Sequence, residues 1–336
     1  MAARKRRKRN TAKRASRNQG GLPGAVRRLF RRGLILLFAF FAVVAGLYFL
    51  GPQPVRQKIG QLASILIDRI RHQEWMPAPM ERALDQAHDA VSRSEGLLVD
   101  GGELGFNADP LLAGLPECRQ PTRVLRNVAS VNLFDEASRM TRCIALRLPA
   151  AEGSPPAGES LLERLPVDPR VPDLRTGQMT DGPWTAQPLF PPDVLSASLK
   201  TGNMKDVLLP TSALPMREPF LEDIWKALMQ EISVRYPERY GEVWLYVGPV
   251  LAPGGDRLAS GIPVPEHFYA IVFDITAGGW LRAIAFLVPH ENPPQSIAEC
   301  ITSIEAIESL TGMRFLPELN QEAYSRLRQW VSPRLW

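Results

Sequence analysis

The sequence predicts an α+β fold built on an antiparallel sheet, preceded by a single transmembrane helix and a helical stalk. Three observations lead there. A charge-free apolar run near the N-terminus is long enough to cross a bilayer. Strong strand candidates fall next to one another and helices stand apart from them, with no βαβ alternation. The chain has 336 residues, 45% of them hydrophobic, which suffices for one sizeable core.

Charge separates the chain into unlike regions. Residues 1–32 hold 13 Lys and Arg and no acidic residue. The remainder therefore carries 27 basic against 35 acidic residues, a net charge of −8, although the whole chain is at +5. Residues 33–51, "GLILLFAFFAVVAGLYFLG", are 19 residues without a charge, close to the ~20 that span a bilayer as a helix. The cationic tail keeps the N-terminus cytoplasmic and sends the body to the far side of the membrane, the periplasm in a bacterium. The alternatives are a cleavable signal peptide, for which Val43 and Ala45 suit the cleavage positions, a twin-arginine signal at Arg27–Phe30, and a mitochondrial presequence. The tail also suits contact with anionic lipid.

Residues 52–119 read as stalk and linker. Ile59, Leu62, Leu66 and Ile70 share one helical face, and a second, polar helix is expected over 79–95. Such helices serve as spacers or as self-association surfaces. The Gly-, Pro- and Leu-rich stretch 95–117 reads as a linker with some docking contacts.

The main domain is expected at residues 120–336. "RVLRNVASVNLFD" and "RCIALRLP" read as two strands joined by a turn near Glu136–Arg139. Phe220, Ile224, Leu228 and Ile232 recur every four residues and predict a helix over 218–234. "GEVWLYVGPVL", "EHFYAIVFDIT" and "WLRAIAFLVP" are strands. Residues 296–310 are expected to form another helix, with Gly312 as its C-cap. Cys118, Cys143 and Cys300 contain no CxxC pair, which excludes a zinc-ribbon pattern. Cys118 and Cys143 are a candidate disulfide, and Cys300 is expected as a small apolar helix residue.

Motifs for common chemistries are missing. The chain has no P-loop, GxGxxG, HExxH or GxSxG. Its four histidines, His72, His88, His267 and His290, are scattered, and single histidines at strand ends are expected at the surface. Asp206, Glu222, Asp223 and Glu231 read as a solvated helix face or as caps, with Glu218 and Glu222 suited to a helix N-terminus.

The order of elements from about residue 120 to 325 resembles the DNA/RNA non-specific endonucleases, the ββα-metal nucleases that include endonuclease G. The likeness rests on "VNLFDEASRMTRCIALRL", "LPVDPRVPD", "NMKDVLLPTSALPM", "IWKALM", "VGPVL", "IPVPEHFYAIVFD", "AIAFLVPHENP" and "SIAECITSIEAIESLTGMRFLP". The resemblance implies a ββα-metal domain in which a histidine of an Asp-Arg-Gly-His motif is general base. It also implies one helix asparagine holding hydrated Mg²⁺, and a helix glutamate supporting the metal's water shell. Counting back from Pro215 lays the histidine motif on "TAQPLFP", with Pro188 at the base position. A second register, on "DGPW", places Trp184 there. The asparagine position is Leu221 and the glutamate position is Met229. "SALPM" stands for Asn-Ile-x-Pro-Gln and lacks both polar members.

Neither register supplies a histidine, because none lies between His88 and His267. The resemblance therefore implies a family domain without retained catalytic residues, with no cofactor expected, acting in binding or assembly. A protein partner, nucleic acid, or self-association through the stalk are the partners it leaves open. The alternative is an active divergent endonuclease using Mg²⁺, with Asp206, Glu222 or Glu231 as cation ligands and His267 as base. Lys200, Lys205, Arg217, Lys226 and Arg235 would then form its basic patch. The acidic body offers such a groove no general attraction for a polyphosphate backbone.

Overall fold

The computed structural model describes residues 99–100, 110–150, 165–195, 199, 204, 207–276 and 279–336. The chain divides into Met1–Leu84 and Asp85–Trp336, and every described residue belongs to the second unit. The expected transmembrane segment 33–51, the stalk helices, His72, His88, Lys200, Lys205 and Asp206 lie outside the described residues. Among the described residues no helix is long and apolar enough to cross a membrane.

The expected α+β antiparallel architecture is observed. Its strands are β1 (Val99–Asp100), β2 (Glu117–Cys118), β3 (Arg123–Arg126), β4 (Ser130–Asp135), β5 (Met140–Pro149), β6 (Thr185–Pro188), β7 (Ala213–Met216), β8 (Glu242–Val250), β9 (His267–Ile275), β10 (Trp280–Pro289), β11 (Ile301–Thr302) and β12 (Met313–Arg314). The main sheet runs β1-β10-β9-β8-β5-β4-β3, with β11 also on β10, and every pairing is antiparallel. Two ribbons stand apart from it, β6–β7 and β2–β12.

Strands β8, β9 and β10 are apolar at successive positions because both sheet faces are covered. Their side chains alternate between two cores with the period of two that a strand imposes. Val243, Leu245, Val247, Phe268, Ala270, Val272, Ile284 and Phe286 enter the first core. Trp244, Tyr246, Tyr269, Ile271, Phe273, Leu281, Ala283 and Ala285 enter the second. The β6–β7 ribbon, the short helix α1 (Pro192–Leu195) and a long helix cover the first face. Residues 111–113, α3 (Ile304–Thr311) and α4 (Gln321–Gln329) cover the second.

The long helix, α2, covers residues 218–240 and explains its own sequence spacing. Phe220, Ile224, Leu228, Ile232 and Tyr236 are all buried. On an α-helix of about 3.6 residues per turn, a four-residue interval drifts by roughly 40° per step, enough to carry the last side chain off the core face. The helix removes the drift with wider π turns at Leu221–Trp225 and Glu231–Arg235, between α segments at Glu218–Phe220, Lys226–Gln230 and Tyr236–Tyr240. It is therefore longer than the predicted 218–234.

Four other expectations change. "RVLRNVASVNLFD" is a hairpin, β3 and β4, because the Asn127 N–H bonds to Ser130 O at 2.8 Å and turns the chain. Residues 296–310 are not one helix: Ile297–Cys300 is a 3₁₀ turn, Ile301 and Thr302 pair with β10, and α3 starts only where the Ser303 hydroxyl accepts the Ala306 N–H at 3.1 Å. Gly312 does cap α3 with φ of 68°. The linker stretch contributes β1, β2 and buried Leu111 and Leu112. The Tyr246 phenol accepts the Leu112 N–H at 2.7 Å and donates to the Leu112 carbonyl at 2.9 Å. The thiols of Cys118, Cys143 and Cys300 are free. Burial pushes the Cys143 thiol up to about 12.

Close approach fixes one glycine. A Cβ on Gly248 would lie 2.2 Å from the Arg142 carbonyl oxygen and 2.8 Å from the Tyr269 hydroxyl, which itself donates to Arg142 O at 2.8 Å. Gly248→Ala is expected to lower unfolding stability by about 1–3 kcal/mol through overpacking. Urea denaturation checks this, and an unchanged midpoint would contradict the close approach.

Candidate functional site

Between β5 and β8 the chain leaves the sheet, forms the β6–β7 ribbon, and returns through α2. All three positions to which the resemblance assigns catalytic roles belong to this excursion. The ribbon pairs Thr185 with Met216, Ala186 with Pro215, Gln187 with Leu214 and Pro188 with Ala213. Just past it, the Leu189 N–H bonds to Ser212 O at 2.9 Å. The Leu189 carbonyl accepts the buried indole N–H of Trp225 at 2.8 Å, and this bond fastens α2 against the end of β6.

Pro188 is buried in β6 and has neither a titratable group nor a backbone N–H. Leu221 lies one turn before Trp225, half-buried against the first core, and Met229 lies one turn after it, fully buried in that core. None of these side chains offers the oxygen or nitrogen donor that Mg²⁺ or a transferred proton needs. The residues present do not fit a metal at these positions. Among the described residues no group of three or more His, Cys, Asp and Glu side chains could hold a metal ion.

Trp184, the base position in the second register, closes a turn with Asp181 immediately before β6. Its ring lies 4.9 Å from His290 and 4.6 Å beneath the Arg217 guanidinium. His290, expected at the surface, is buried instead. Its ring meets Phe220 at 4.7 Å and Phe268 at 5.0 Å. Its Nε2 accepts the backbone N–H of Arg217, the N-cap of α2, at 3.2 Å, and Nδ1 lies 2.9 Å from Pro265 O. These two bonds fit the neutral ring protonated on Nδ1. Burial pushes its pKa down to about 4. It is an acceptor that seats the start of α2, and "VPHENP" showed only that it follows a strand.

The segment "LPVDPRVPD" holds the other organiser, Asp168, which no sequence pattern singles out. Its carboxylate is fully buried. It accepts Arg170 Nε at 2.9 Å, Arg170 Nη2 at 2.8 Å and the Thr211 hydroxyl at 2.8 Å. Burial alone would raise its pKa, but the Arg170 and Thr211 hydrogen bonds outweigh burial and hold it below the usual carboxylate range. Arg170 also donates to Arg126 O at 2.9 Å, and Asn132 Nδ2 donates to the Ser212 hydroxyl at 3.1 Å. Together they tie the ribbon to the sheet edge.

Of the described charged candidates, Glu231, Arg235, Lys226, Glu222 and Arg217 are committed to ion pairs. Glu231 pairs with Arg235 at 2.7 Å, Lys226 with Asp193 at 2.9 Å and with Glu222 at 3.4 Å, and Arg217 with Glu291 at 2.9 Å. The expected basic patch is therefore neutralised at Arg217, Lys226 and Arg235. Exposed Glu218, Glu222 and Asp223 complement the positive end of the α2 dipole. His267 is half-buried on β9, and among the described residues its Nδ1 has no hydrogen-bond partner.

His290 generates a pH prediction. In the unfolded chain its pKa is about 6.5, so between that value and about 4 the unfolded state binds more protons. Stability is expected to fall as pH drops through this window, by about 2–3 kcal/mol from this residue by pH 4.5. Urea titrations at pH 7.5 and 4.5 should show that loss reduced in His290→Gln; an identical loss in both proteins would contradict the assignment. Asp168→Asn is expected to cost about 3–5 kcal/mol, because it removes the buried charge that Arg170 pairs with and turns an NH2 donor toward donors of Arg170 or Thr211 in place of one acceptor oxygen. Thermal unfolding checks this, and a shift within a degree of the parent would contradict it.

A comparison with curated proteins finds no match. Residues 222–322 match the family model described as DNA/RNA non-specific endonuclease. The match runs from within α2 through β8, β9, β10 and α3 into α4, so it includes Met229 and begins one residue past Leu221. Over that stretch the chain carries a domain similar to the DNA/RNA non-specific endonucleases.

Proposed function

We propose that the protein is a catalytically degenerate member of this nuclease-like group, anchored to the membrane by residues 33–51, and acting through binding or assembly. The observation that carries the reading is the occupancy of the three catalytic positions by buried Pro188, half-buried Leu221 and buried Met229. Losing one polar group leaves room for compensation. Replacing the base and both helix positions with inert side chains removes proton transfer and metal binding together. The surroundings support the same reading. Lys226 and Arg217 are paired with carboxylates, and the exposed start of α2 carries Glu218, Glu222 and Asp223, which repel a phosphate backbone. A protein partner is accordingly favoured over nucleic acid at this face. The N-terminal tail stays cytoplasmic and the domain lies on the far side of the membrane.

The test is incubation of the full purified chain with plasmid DNA and with RNA in Mg²⁺ or Mn²⁺. No cleavage above a metal-free control is expected. Cleavage that EDTA abolishes, and that Glu231→Ala or His267→Ala removes, would overturn the proposal in favour of an active divergent endonuclease.

A further inference from the structure

A polar cleft of about 530 Å³ opens on the second face of the sheet, between the β2–β12 ribbon and helices α3 and α4, away from the β6–β7 excursion. The ribbon sets its geometry. Cys118 pairs with Met313 and Glu117 with Arg314. Alternation turns buried Met313 and half-buried Cys118 toward the core. It turns Glu117, Arg314 and, two residues past Glu117, Arg119 toward the cleft. Arg119 and Arg314 are thus diagonal neighbours, with backbones roughly 7–8 Å apart at this spacing.

The far wall is closed on itself. Glu308 accepts the Phe315 N–H at 3.0 Å and the Tyr324 hydroxyl, and lies 3.3 Å from Arg328 Nε. Arg328 also pairs with Glu305 at 2.9 Å. The two ribbon arginines are not neutralised in this way. Arg119 is exposed, its stem lies over Gly312, and among the described residues its guanidinium has no partner. Arg314 stands 5.1 Å from the Tyr324 ring and makes one long bond to Gln321 Oε1 at 3.4 Å. Its Nε is shielded from solvent and has no hydrogen-bond partner among the described residues.

We infer that this cleft binds a small phosphate-class anion, free or as a monoester, held between the guanidinium forks of Arg119 and Arg314. Planar forks with donors to spare match tetrahedral oxyanions in two-point hydrogen bonding. Glu117 is the opposing charge on the same face, and it limits the affinity.

The experiment is calorimetric titration of the full chain in mild detergent with inorganic phosphate and, separately, with glycerol phosphate, against sodium chloride at equal ionic strength. Binding of either phosphate beyond the chloride control is expected, and the two arms identify free anion or ester as the source. Arg119→Ala touches an exposed, unpartnered side chain and leaves the fold intact; it is expected to weaken binding about tenfold or more. Glu117→Gln is expected to tighten it. Phosphates indistinguishable from chloride, or equal binding by parent and Arg119→Ala, would overturn the inference.

Discussion

The structure depends on the burial of both faces of one antiparallel sheet. Strands β8, β9 and β10 carry apolar side chains up and down at almost every position, so each face must be covered. The first face requires an excursion long enough to lay a ribbon and a helix across it. That excursion is where the β6–β7 pairing, the Trp225–Leu189 hydrogen bond and the π turns of α2 all arise. The second face draws in residues 111–113 and the C-terminal helices, with the Tyr246 phenol clamping the Leu112 backbone.

This architecture separates the requirements of folding from those of catalysis. The ribbon needs a strand residue at 188 and the helix needs apolar contact near 221 and 229, but neither needs a base or a metal ligand. Pro188, Leu221 and Met229 meet that folding requirement by packing into or against the first core. The polar groups kept nearby are structural: Asp168 ties Arg170 and Thr211, and His290 seats the first turn of α2 through the Arg217 N–H. Both act from within the packed structure, where their partners are already fixed.

The sheet was legible in the sequence because strands buried on both faces leave continuous apolar runs at β8, β9 and β10, bounded by Gly and Pro. The four-residue spacing of Phe220, Ile224, Leu228 and Ile232 revealed a helix, but not that only π turns could keep such a spacing on one face. The β3–β4 hairpin and the late start of α3 were hidden because a single backbone bond at Asn127 and a single serine cap at Ser303 decide them. That Pro188, Leu221 and Met229 carry no ionisable side chain is displayed by one chain directly, whereas the catalytic roles laid on those positions rest on the resemblance. His290 and Asp168 could not, since their roles depend on partners far away in sequence, Pro265 and Arg217 for one, Thr211 for the other.

In the proposed reading, hydrocarbon at the α2 positions Leu221 and Met229 removes the means of holding a metal. Titration of the full chain with Mn²⁺, followed by electron paramagnetic resonance, tests it most directly. The account predicts a spectrum that grows as free aqueous Mn²⁺ from the first addition. Stoichiometric loss of the free-ion signal, restored by Glu222→Gln or Glu231→Gln, would contradict it.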